Sequence, residues 1–219
     1  MGMYDILKAG ERDAERAGKC ALAVMAKAPR PGKVKTRLAP PLTLEESAAL
    51  NICFLRDTTR NIADVCEQSG AEGLICYTPV GDEGAFDGIL PETFRLIAQR
   101  GDGFGERLLL AAEDILSCGY GAVCLIDSDS PTLPSSALEM AVRELAREGD
   151  RVVLGGSDDG GYYLLPVFNP SSCVYPPKNP STSFPADEYI AYPATHTATS
   201  VAGIFQSPRF HSAGSSTSG

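Results

Sequence analysis

The run Ala21-Leu-Ala-Val-Met-Ala26, followed by the loop Ala28-Pro-Arg-Pro-Gly32, decides the fold class of this chain. Six consecutive apolar residues without polar alternation are typical of a strand that is buried on both faces of a parallel sheet. A second run of this kind covers Ala122–Ile126 and predicts a strand over 122–127. Between the two runs, Thr43 and Glu46 form a capping-box signature, which predicts the start of a long helix.

The rest of the chain repeats this alternation of strands and helices. Further strands are predicted over 73–78, 93–98, 151–155 and 162–165, and further helices over 106–118 and 135–147. Ser136 and Glu139 form a second possible capping box. This order predicts an α/β fold, with a mostly parallel sheet flanked by helices on both faces. Because ligands of such sheets bind outside the carboxyl ends of the strands, site residues are expected in the loops after Ala26, Ile126 and Leu154.

Three segments differ in composition. Residues 1–19 are predicted to be a helical extension, with a short charged helix over 3–18, and residues 20–168 to be the folded domain. The first 165 residues contain 21 leucines and the last 54 contain none. The Ser-, Thr- and Pro-rich stretch 169–219 is therefore predicted to be a largely disordered tail. The alternative is that apolar residues of this tail, such as Phe184 and Ile190, dock on an otherwise exposed sheet edge.

Composition narrows the class of protein. The chain has 219 residues, of which 43% are apolar and 21% charged, as in a soluble globular protein. It shows no signal peptide and no apolar run long enough for a membrane helix. Its seven cysteines are scattered without a CxxC pair, which favours free buried thiols and a cytoplasmic location. A net charge of −9 argues against a nucleic-acid partner.

The charge is nevertheless uneven. No acid occurs between Ala17 and Leu44, a stretch that holds six cations. A basic segment in an acidic protein favours a small anion such as a phosphorylated ligand, although charge alone fits a solvated basic loop equally well. It is not a Walker P-loop, because Val34 follows Gly32-Lys33. Prolines and glycine stiffen the loop, and its candidate nucleotide-binding residues are Lys27, Gly32, Lys33, Lys35 and Arg37.

A pair of aspartates, Asp127 and Asp129, follows the second buried run. Residues two apart in an extended chain face the same way, so both carboxylates are expected in the crevice at the strand's end. Two such hard oxygen ligands suit Mg²⁺ or Mn²⁺. The alternative is a plain Asx-turn ahead of Pro131.

A glycine-rich segment, Gly155–Tyr163, lies between the last two predicted strands of the domain. Gly160 and Gly161 would allow close backbone approach to a ligand, and Asp158 or Asp159 would contact substrate hydroxyls or support the metal. A tight hairpin with surface acids explains the segment equally well.

Taken in order, these segments resemble the GT-A-fold nucleotide-diphospho-sugar transferase superfamily. In particular they resemble the branch known as radical-SAM/selenodomain-associated transferase 1, an arsenosugar-biosynthesis-type glycosyltransferase. The similarity spans about residues 20–166 and rests on four motifs, Lys27–Leu38, Gly101–Arg107, Asp127–Pro131 and Asp159–Leu164. The first motif is also similar to that of 2-phospholactate guanylyltransferase, a nucleotidyltransferase of the same superfamily. The chain departs from the branch at Asp127, where glycine is common, and beyond residue 165, where the leucine-free tail replaces further helix and strand.

The resemblance implies a nucleotide-binding transferase domain over 20–168, with catalytic residues Asp129 and Asp159 and a metal held by Asp127 and Asp129. The expected reaction moves a glycosyl group from a nucleotide sugar to an unknown small acceptor. The alternatives are nucleotidyl transfer from a nucleoside triphosphate to a phosphorylated substrate, and nucleotide binding without turnover. No nucleic acid or membrane is expected as a partner.

Overall fold

The computed structural model describes residues 3–147, 151–156, 162–164 and 202–206. Within these ranges the chain forms a single eight-stranded sheet with three α-helices. The helices are α1 (Leu44–Ser69), α2 (Phe104–Ser117) and α3 (Ser135–Leu145). The strands are β1 (Asp5–Leu7), β2 (Cys20–Lys27), β3 (Glu72–Thr78), β4 (Arg95–Ala98), β5 (Ala122–Asp127), β6 (Arg151–Gly156), β7 (Tyr162–Leu164) and β8 (Ala202–Gln206).

The sheet has the strand order β1-β4-β3-β2-β5-β7-β6-β8. Its first five strands are all parallel, whereas β7, β6 and β8 pair with antiparallel neighbours. Strand β2 is central: Ala21 pairs with Glu72 of β3 on one side and with Val123 of β5 on the other. The predicted α/β fold with a mostly parallel sheet is therefore confirmed.

Helices cover both faces of the sheet, as predicted. Leu22 and Val24 of β2 pack in a cluster that contains residues of α1 and α3. Ala21 and Ala23 of the same strand pack on the opposite side, in a cluster that contains residues of α2. All four residues are fully buried. The apolar run that predicted a strand buried on both faces thus forms the centre of the core.

The helix boundaries follow from local hydrogen bonds at the two ends of α1. The Thr43 side chain accepts from the Glu46 N–H, and the Glu46 carboxylate accepts from the Thr43 N–H, which confirms the first capping box. Gly70 ends α1 in the left-handed conformation, with φ of 73°.

The second predicted capping box, Ser136 with Glu139, is wrong. Helix α3 begins at Ser135, as predicted, but its N-cap is Pro134, which is in extended conformation and makes no side-chain cap.

The predicted helix over residues 3–18 is also wrong. The chain there forms β1, which adds a parallel edge strand beside β4, and a single 3₁₀ turn over Ala14–Arg16. Leu7 is buried, as is Tyr4, whose hydroxyl donates to the Leu90 carbonyl at 2.9 Å. Pairing with the exposed edge of β4 and burial of these two side chains outweigh the charge pattern that suggested a helix.

The predicted disordered tail departs from the structure in one segment. Residues Ala202–Gln206 form β8, which pairs antiparallel with β6 so that Ile204 lies opposite Val153. The ladder gives β6 a partner on the side away from β7. Other residues of 169–219, including Phe184 and Ile190, which were considered for docking, lie outside the described ranges.

The six cysteines among the described residues are all free, and four of them are buried, which agrees with the predicted buried thiols. Among the described residues, no helix is both long and apolar enough to cross a membrane.

Candidate functional site

The carboxyl ends of β3, β2 and β5 lie side by side at one edge of the sheet. Lys27 at the end of β2 pairs with Thr78, and Asp127 at the end of β5 pairs with Met25. Strand β7 is antiparallel to β5, with Leu164 opposite Ile126, so it begins at the edge where β5 ends. The described strand ends that flank the three predicted loop regions therefore lie at one edge, as expected for a parallel sheet.

Strand β5 ends in a compact acidic turn, which we define as Asp127–Ser130. The Asp129 N–H donates to Asp127 Oδ1 at 2.6 Å, and the Ser130 hydroxyl donates to Asp127 Oδ2 at 3.1 Å. This is the Asx-turn that the sequence left open as an alternative. Because the strand ends at Asp127, the alternation that was expected to align the two carboxylates does not extend to Asp129. Burial raises the pKa of Asp127, although hydrogen bonds from Asp129 and Ser130 lower it in part.

Lys35 links the basic loop, which we define as residues 27–38 after β2, to the acidic turn. Its Nζ lies 2.7 Å from Asp129 Oδ1 and 4.7 Å from the centre of the Phe54 ring. The Lys35 side chain is 15% exposed, whereas the Asp129 side chain is 61% exposed. The Lys35 backbone is left-handed, with φ of 48°, an uncommon conformation for lysine. The fold therefore brings the Lys35 ammonium, from the loop after β2, against the Asp129 carboxylate in the turn after β5.

The acidic turn offers oxygen ligands to a divalent metal. Asp129 Oδ1 accepts from Lys35 and from the Ser128 hydroxyl, and Oδ2 has no partner within the described part of the chain. That part also contains no group of three or more His, Cys, Asp or Glu residues arranged to hold a metal ion. Two carboxylates and neighbouring hydroxyls suit Mg²⁺ or Mn²⁺, provided that water and ligand oxygens complete the coordination.

A cavity of about 300 Å³ lies beside the acidic turn, over the ends of β2 and β3. We call it the basic cavity because four of its lining residues are cations and only one is acidic. Arg30 pairs with the acid, Asp82, at 2.5 Å. The Arg107 Nε donates to the Gly101 carbonyl at 3.0 Å. The lining residues are Lys27, Ala28, Arg30, Lys33, Thr78, Pro79, Asp82 and Arg107.

The structure separates the residues that the sequence grouped as one nucleotide-binding loop. Lys27 and Lys33 line the basic cavity, while Lys35 contacts the acidic turn. Gly32 adopts a positive φ of 72° in the turn between them. Arg37 is exposed in the 3₁₀ turn Thr36–Leu38, and it makes no ion pair or hydrogen bond with the described residues. The other candidates, Asp158, Asp159, Gly160 and Gly161, lie outside the described ranges.

Sequence reasoning missed the roles of Arg107, Asp82 and Phe54. Arg107 carried a signal, since it ends the Gly101–Arg107 motif, but no function followed from the motif alone. Nothing in the sequence indicated that Asp82 or Phe54 lies near the site. Asp82 lies 52 positions from Arg30 in the sequence, and Phe54 has the pattern of an ordinary residue of an amphipathic helix.

The fold is an α/β fold of the nucleotide-diphospho-sugar transferase-like class. More particularly, a family model described as "Uncharacterized protein conserved in bacteria (DUF2064)" matches residues 61–175, which is more than half of the chain. The chain therefore belongs to the DUF2064 family. No curated protein matches it.

A solved structure supports this placement of the fold. A protein from Desulfovibrio desulfuricans G20, proposed to be a nucleotide-diphospho-sugar transferase, is 31% identical with a TM-score of 0.61. The match covers 72% of this chain and 66% of that one, so this chain spans just under two thirds of its length. A 4-diphosphocytidyl-2C-methyl-D-erythritol synthase from Anaerococcus prevotii DSM 20548 is 15% identical, with a TM-score of 0.44 and coverage of 72% and 73%.

Proposed function

We propose that this chain is a metal-dependent nucleotide-diphospho-sugar transferase, which moves a glycosyl group from a nucleotide sugar to a small acceptor. The proposal rests chiefly on the contact between Lys35 and Asp129. A cation from the basic loop lies 2.7 Å from a largely exposed carboxylate at the carboxyl end of β5. A diphosphate bound here would meet both a lysine and a carboxylate suited to a divalent metal.

Each residue has a distinct part in this scheme. Asp129 and Asp127 would hold Mg²⁺ or Mn²⁺, with the half-buried Asp127 also fixing the turn through its two hydrogen bonds. The metal, when bound, supplies electrostatic stabilisation to a diphosphate leaving group. Lys35 would turn from Asp129 toward a phosphate oxygen, guided by the Phe54 ring. Asp159, Gly160 and Gly161 remain proposed contacts of the sugar or the metal.

Two similarities support transfer of a glycosyl group. The sequence motifs resemble the radical-SAM/selenodomain-associated branch of glycosyltransferases, and the 31% identical protein is itself proposed to be a nucleotide-diphospho-sugar transferase. Nucleotidyl transfer is the second candidate, and the basic cavity favours it. Four cations lining one cavity provide more positive charge than a diphosphate needs, and they suit a triphosphate or a phosphorylated second substrate.

A thermal-shift panel tests the proposal. Full-length protein is mixed with nucleoside triphosphates, nucleoside diphosphates and nucleotide sugars, each with Mg²⁺, Mn²⁺ or EDTA. A ligand present at 100 times its Kd stabilises the folded state by about 2.7 kcal/mol. We expect the largest shift with a nucleotide sugar and a metal, and product formation when acceptors are added.

The other outcomes identify the alternatives. A larger shift with a triphosphate, together with release of pyrophosphate, would show nucleotidyl transfer. Binding without any turnover would show a nucleotide-binding protein. The absence of a metal-dependent shift with every nucleotide would contradict the proposal.

A further inference from the structure

The stretch that follows the acidic turn is held by a side chain of α1. Asn61 Nδ2 donates to the Leu133 carbonyl at 2.6 Å, and Asn61 Oδ1 accepts from the Ser135 hydroxyl at 2.5 Å. We infer that Asn61 is a positioning residue, which holds the acidic turn so that Asp129 lies opposite Lys35. The inference rests on the proposed function, in which Asp129 binds a metal, but the hold on the turn can be measured without one.

A continuous series of hydrogen bonds leads from Asn61 to the acidic turn. The Leu133 N–H, on the residue whose carbonyl Asn61 binds, donates to the Ser130 carbonyl at 3.1 Å. The Ser130 hydroxyl donates to Asp127 Oδ2 at 3.1 Å, and the other oxygen of Asp127 accepts from the Asp129 N–H at 2.6 Å. A displacement of Leu133 therefore disturbs the bonds that fix the backbone of Asp129.

The stretch 131–134, between the acidic turn and α3, has few hydrogen bonds of its own. Pro131 and Pro134 have no N–H to donate, and none of these described residues belongs to a helix or strand. Leu133 is buried, so its carbonyl loses a partner at a cost in free energy if the Asn61 amide is removed. The position of this stretch therefore depends on a side chain that lies 72 positions from Leu133 in the sequence.

The same face of α1 also contacts Lys35. Phe54 precedes Asn61 by about two helical turns, so the two side chains leave α1 on one face. The Lys35 Nζ lies 4.7 Å from the centre of the Phe54 ring. One helix thus contacts the lysine through Phe54 and the stretch after Asp129 through Asn61. It thereby sets the spacing of the 2.7 Å contact between Lys35 Nζ and Asp129 Oδ1.

The part of α1 that carries these two residues is fixed on the sheet. Leu55 and Ile62, which directly follow Phe54 and Asn61, are fully buried in the cluster that contains residues of β2 and β5. Because a close-packed core yields little to local forces, an anchor attached to it can hold a loop in one position.

Hydrogen exchange in the metal-free, full-length protein tests the hold on the turn. NMR follows the Asp129 and Leu133 amides in wild type, Asn61→Leu and Thr59→Val. Asn61→Leu keeps a branched side chain but neither hydrogen bond, and both amides are expected to exchange severalfold faster through local opening. Thr59→Val is the matched control, since it loses a buried bond within α1 and none to the turn. Its two amides are expected to exchange as in wild type.

Binding of Mn²⁺ alone tests the consequence for the site, with the EPR signal of free Mn²⁺ as the measure. Asn61→Leu is expected to bind about fivefold more weakly than wild type, the usual effect of one lost hydrogen bond. Thr59→Val is expected to bind as wild type does, although it also loses stability. Ser135→Ala removes one of the two bonds at an exposed residue, so smaller changes in the same direction are expected. This variant serves if Asn61→Leu fails to fold.

Unchanged exchange of both amides in Asn61→Leu, or in Ser135→Ala where only that variant folds, would overturn the inference. Equal Mn²⁺ affinities of the tested variant and Thr59→Val would also overturn it, provided that Asp129→Asn has lost Mn²⁺ binding. Equal Mn²⁺ binding by wild type and Asp129→Asn would instead contradict the proposed metal site. In that case the exchange rates of the two amides alone decide whether Asn61 holds the turn.

Discussion

Lys35 contacts both the Asp129 carboxylate and the Phe54 ring. Replacing this lysine is therefore expected to have opposite effects on metal binding and on nucleotide binding. Its ammonium lies 2.7 Å from Asp129 Oδ1, where a divalent metal would bind. In Lys35→Met the competing charge is absent, so Mn²⁺ alone is expected to bind more tightly. The same change removes a phosphate contact, and nucleotide affinity with Mn²⁺ is expected to fall about tenfold.

Calorimetry on wild type, Lys35→Met and the exposed control Lys8→Met measures both effects. Folding of the variant is not expected to suffer, because Asp129 is mostly exposed and such a pair contributes at most about 1 kcal/mol. Nucleotide binding by Lys35→Met that equals the control would mean that the lysine is only a structural partner of Asp129.

Two neighbouring threonines of α1 predict different responses to the same change. Both are buried, but Thr58 Oγ1 has no hydrogen-bond partner among the described residues, whereas the Thr59 hydroxyl donates to the Leu55 carbonyl at 2.7 Å. Thr58→Val removes an unpaired polar group and is expected to be neutral or to stabilise by about 1 kcal/mol. Thr59→Val loses a hydrogen bond and is expected to destabilise by about 1 kcal/mol. Urea unfolding measures both, and an equal loss of stability in the two variants would contradict this interpretation of α1.

At the scale of elements, Gly73 of β3 packs closely against the ring of Phe94, the residue before β4. A Cβ built on Gly73 would lie 2.5 Å from atoms of the Phe94 ring, and both residues are buried. Gly73→Ala is therefore expected to destabilise the protein by about 1–3 kcal/mol, the usual cost of overpacking. Chemical denaturation compares it with the double variant Gly73→Ala/Phe94→Leu. The double variant is expected to recover part of the loss, and equal losses would show that Phe94 is not the obstacle.

Glu72 links the amino-terminal ends of β2, β3, β4 and β5, which lie opposite the candidate site. It accepts from Lys19 at 2.7 Å and from the Tyr120 hydroxyl at 2.6 Å, and it contacts Arg95. Burial raises the pKa of Glu72, but these hydrogen bonds and the Arg95 charge outweigh burial and lower it overall. Glu72→Gln is expected to destabilise the protein by about 2 kcal/mol at neutral pH.

The lowered pKa of Glu72 also sets a pH dependence. The carboxylate contributes its stability above its unfolded pKa of about 4.3, and that contribution is lost as the pH falls through the lower folded pKa. The difference in Tm between wild type and Glu72→Gln is expected to shrink between pH 5 and pH 3. The exposed control Glu67→Gln is expected to show no such trend. A difference that is constant over this range would contradict the assignment.

The elements differ in how far sequence could predict them, and the reason is the range of the forces involved. The bounds of β5 and the first capping box of α1 were predicted correctly, since apolar runs and caps act within a few residues. β1 was missed because its existence depends on the edge of β4, about 90 positions away in numbering. The same limit applies to the site. Asp129 and Lys35 were each predicted as site residues, but their contact was not, because it depends on the packing of two loops.

At the scale of the whole molecule, β8 completes the sheet. It pairs with β6 over the register Arg151–Gly155 opposite Ala202–Gln206. Truncation after Leu165 removes β8 and leaves β6 without this partner, so we expect a lower Tm and a tendency to associate. Ile204→Pro in the full chain is a milder test, because proline cannot donate to the ladder. Size-exclusion chromatography and thermal unfolding measure both, and truncated protein that stays monodisperse with an unchanged Tm would contradict the pairing.

The proposed function requires Asp129 to hold a divalent metal together with a nucleotide at the carboxyl end of β5. The most direct measurement is calorimetric titration of the tightest nucleotide from the thermal-shift panel, with Mn²⁺, into three full-length proteins. Wild type and Asp64→Asn, an exposed aspartate of α1, are expected to bind alike, whereas folded Asp129→Asn is expected to bind at least about tenfold more weakly. Asp127→Gly is expected to lose less than Asp129→Asn. Folded Asp129→Asn that binds with wild-type affinity in Mn²⁺ would contradict the claim.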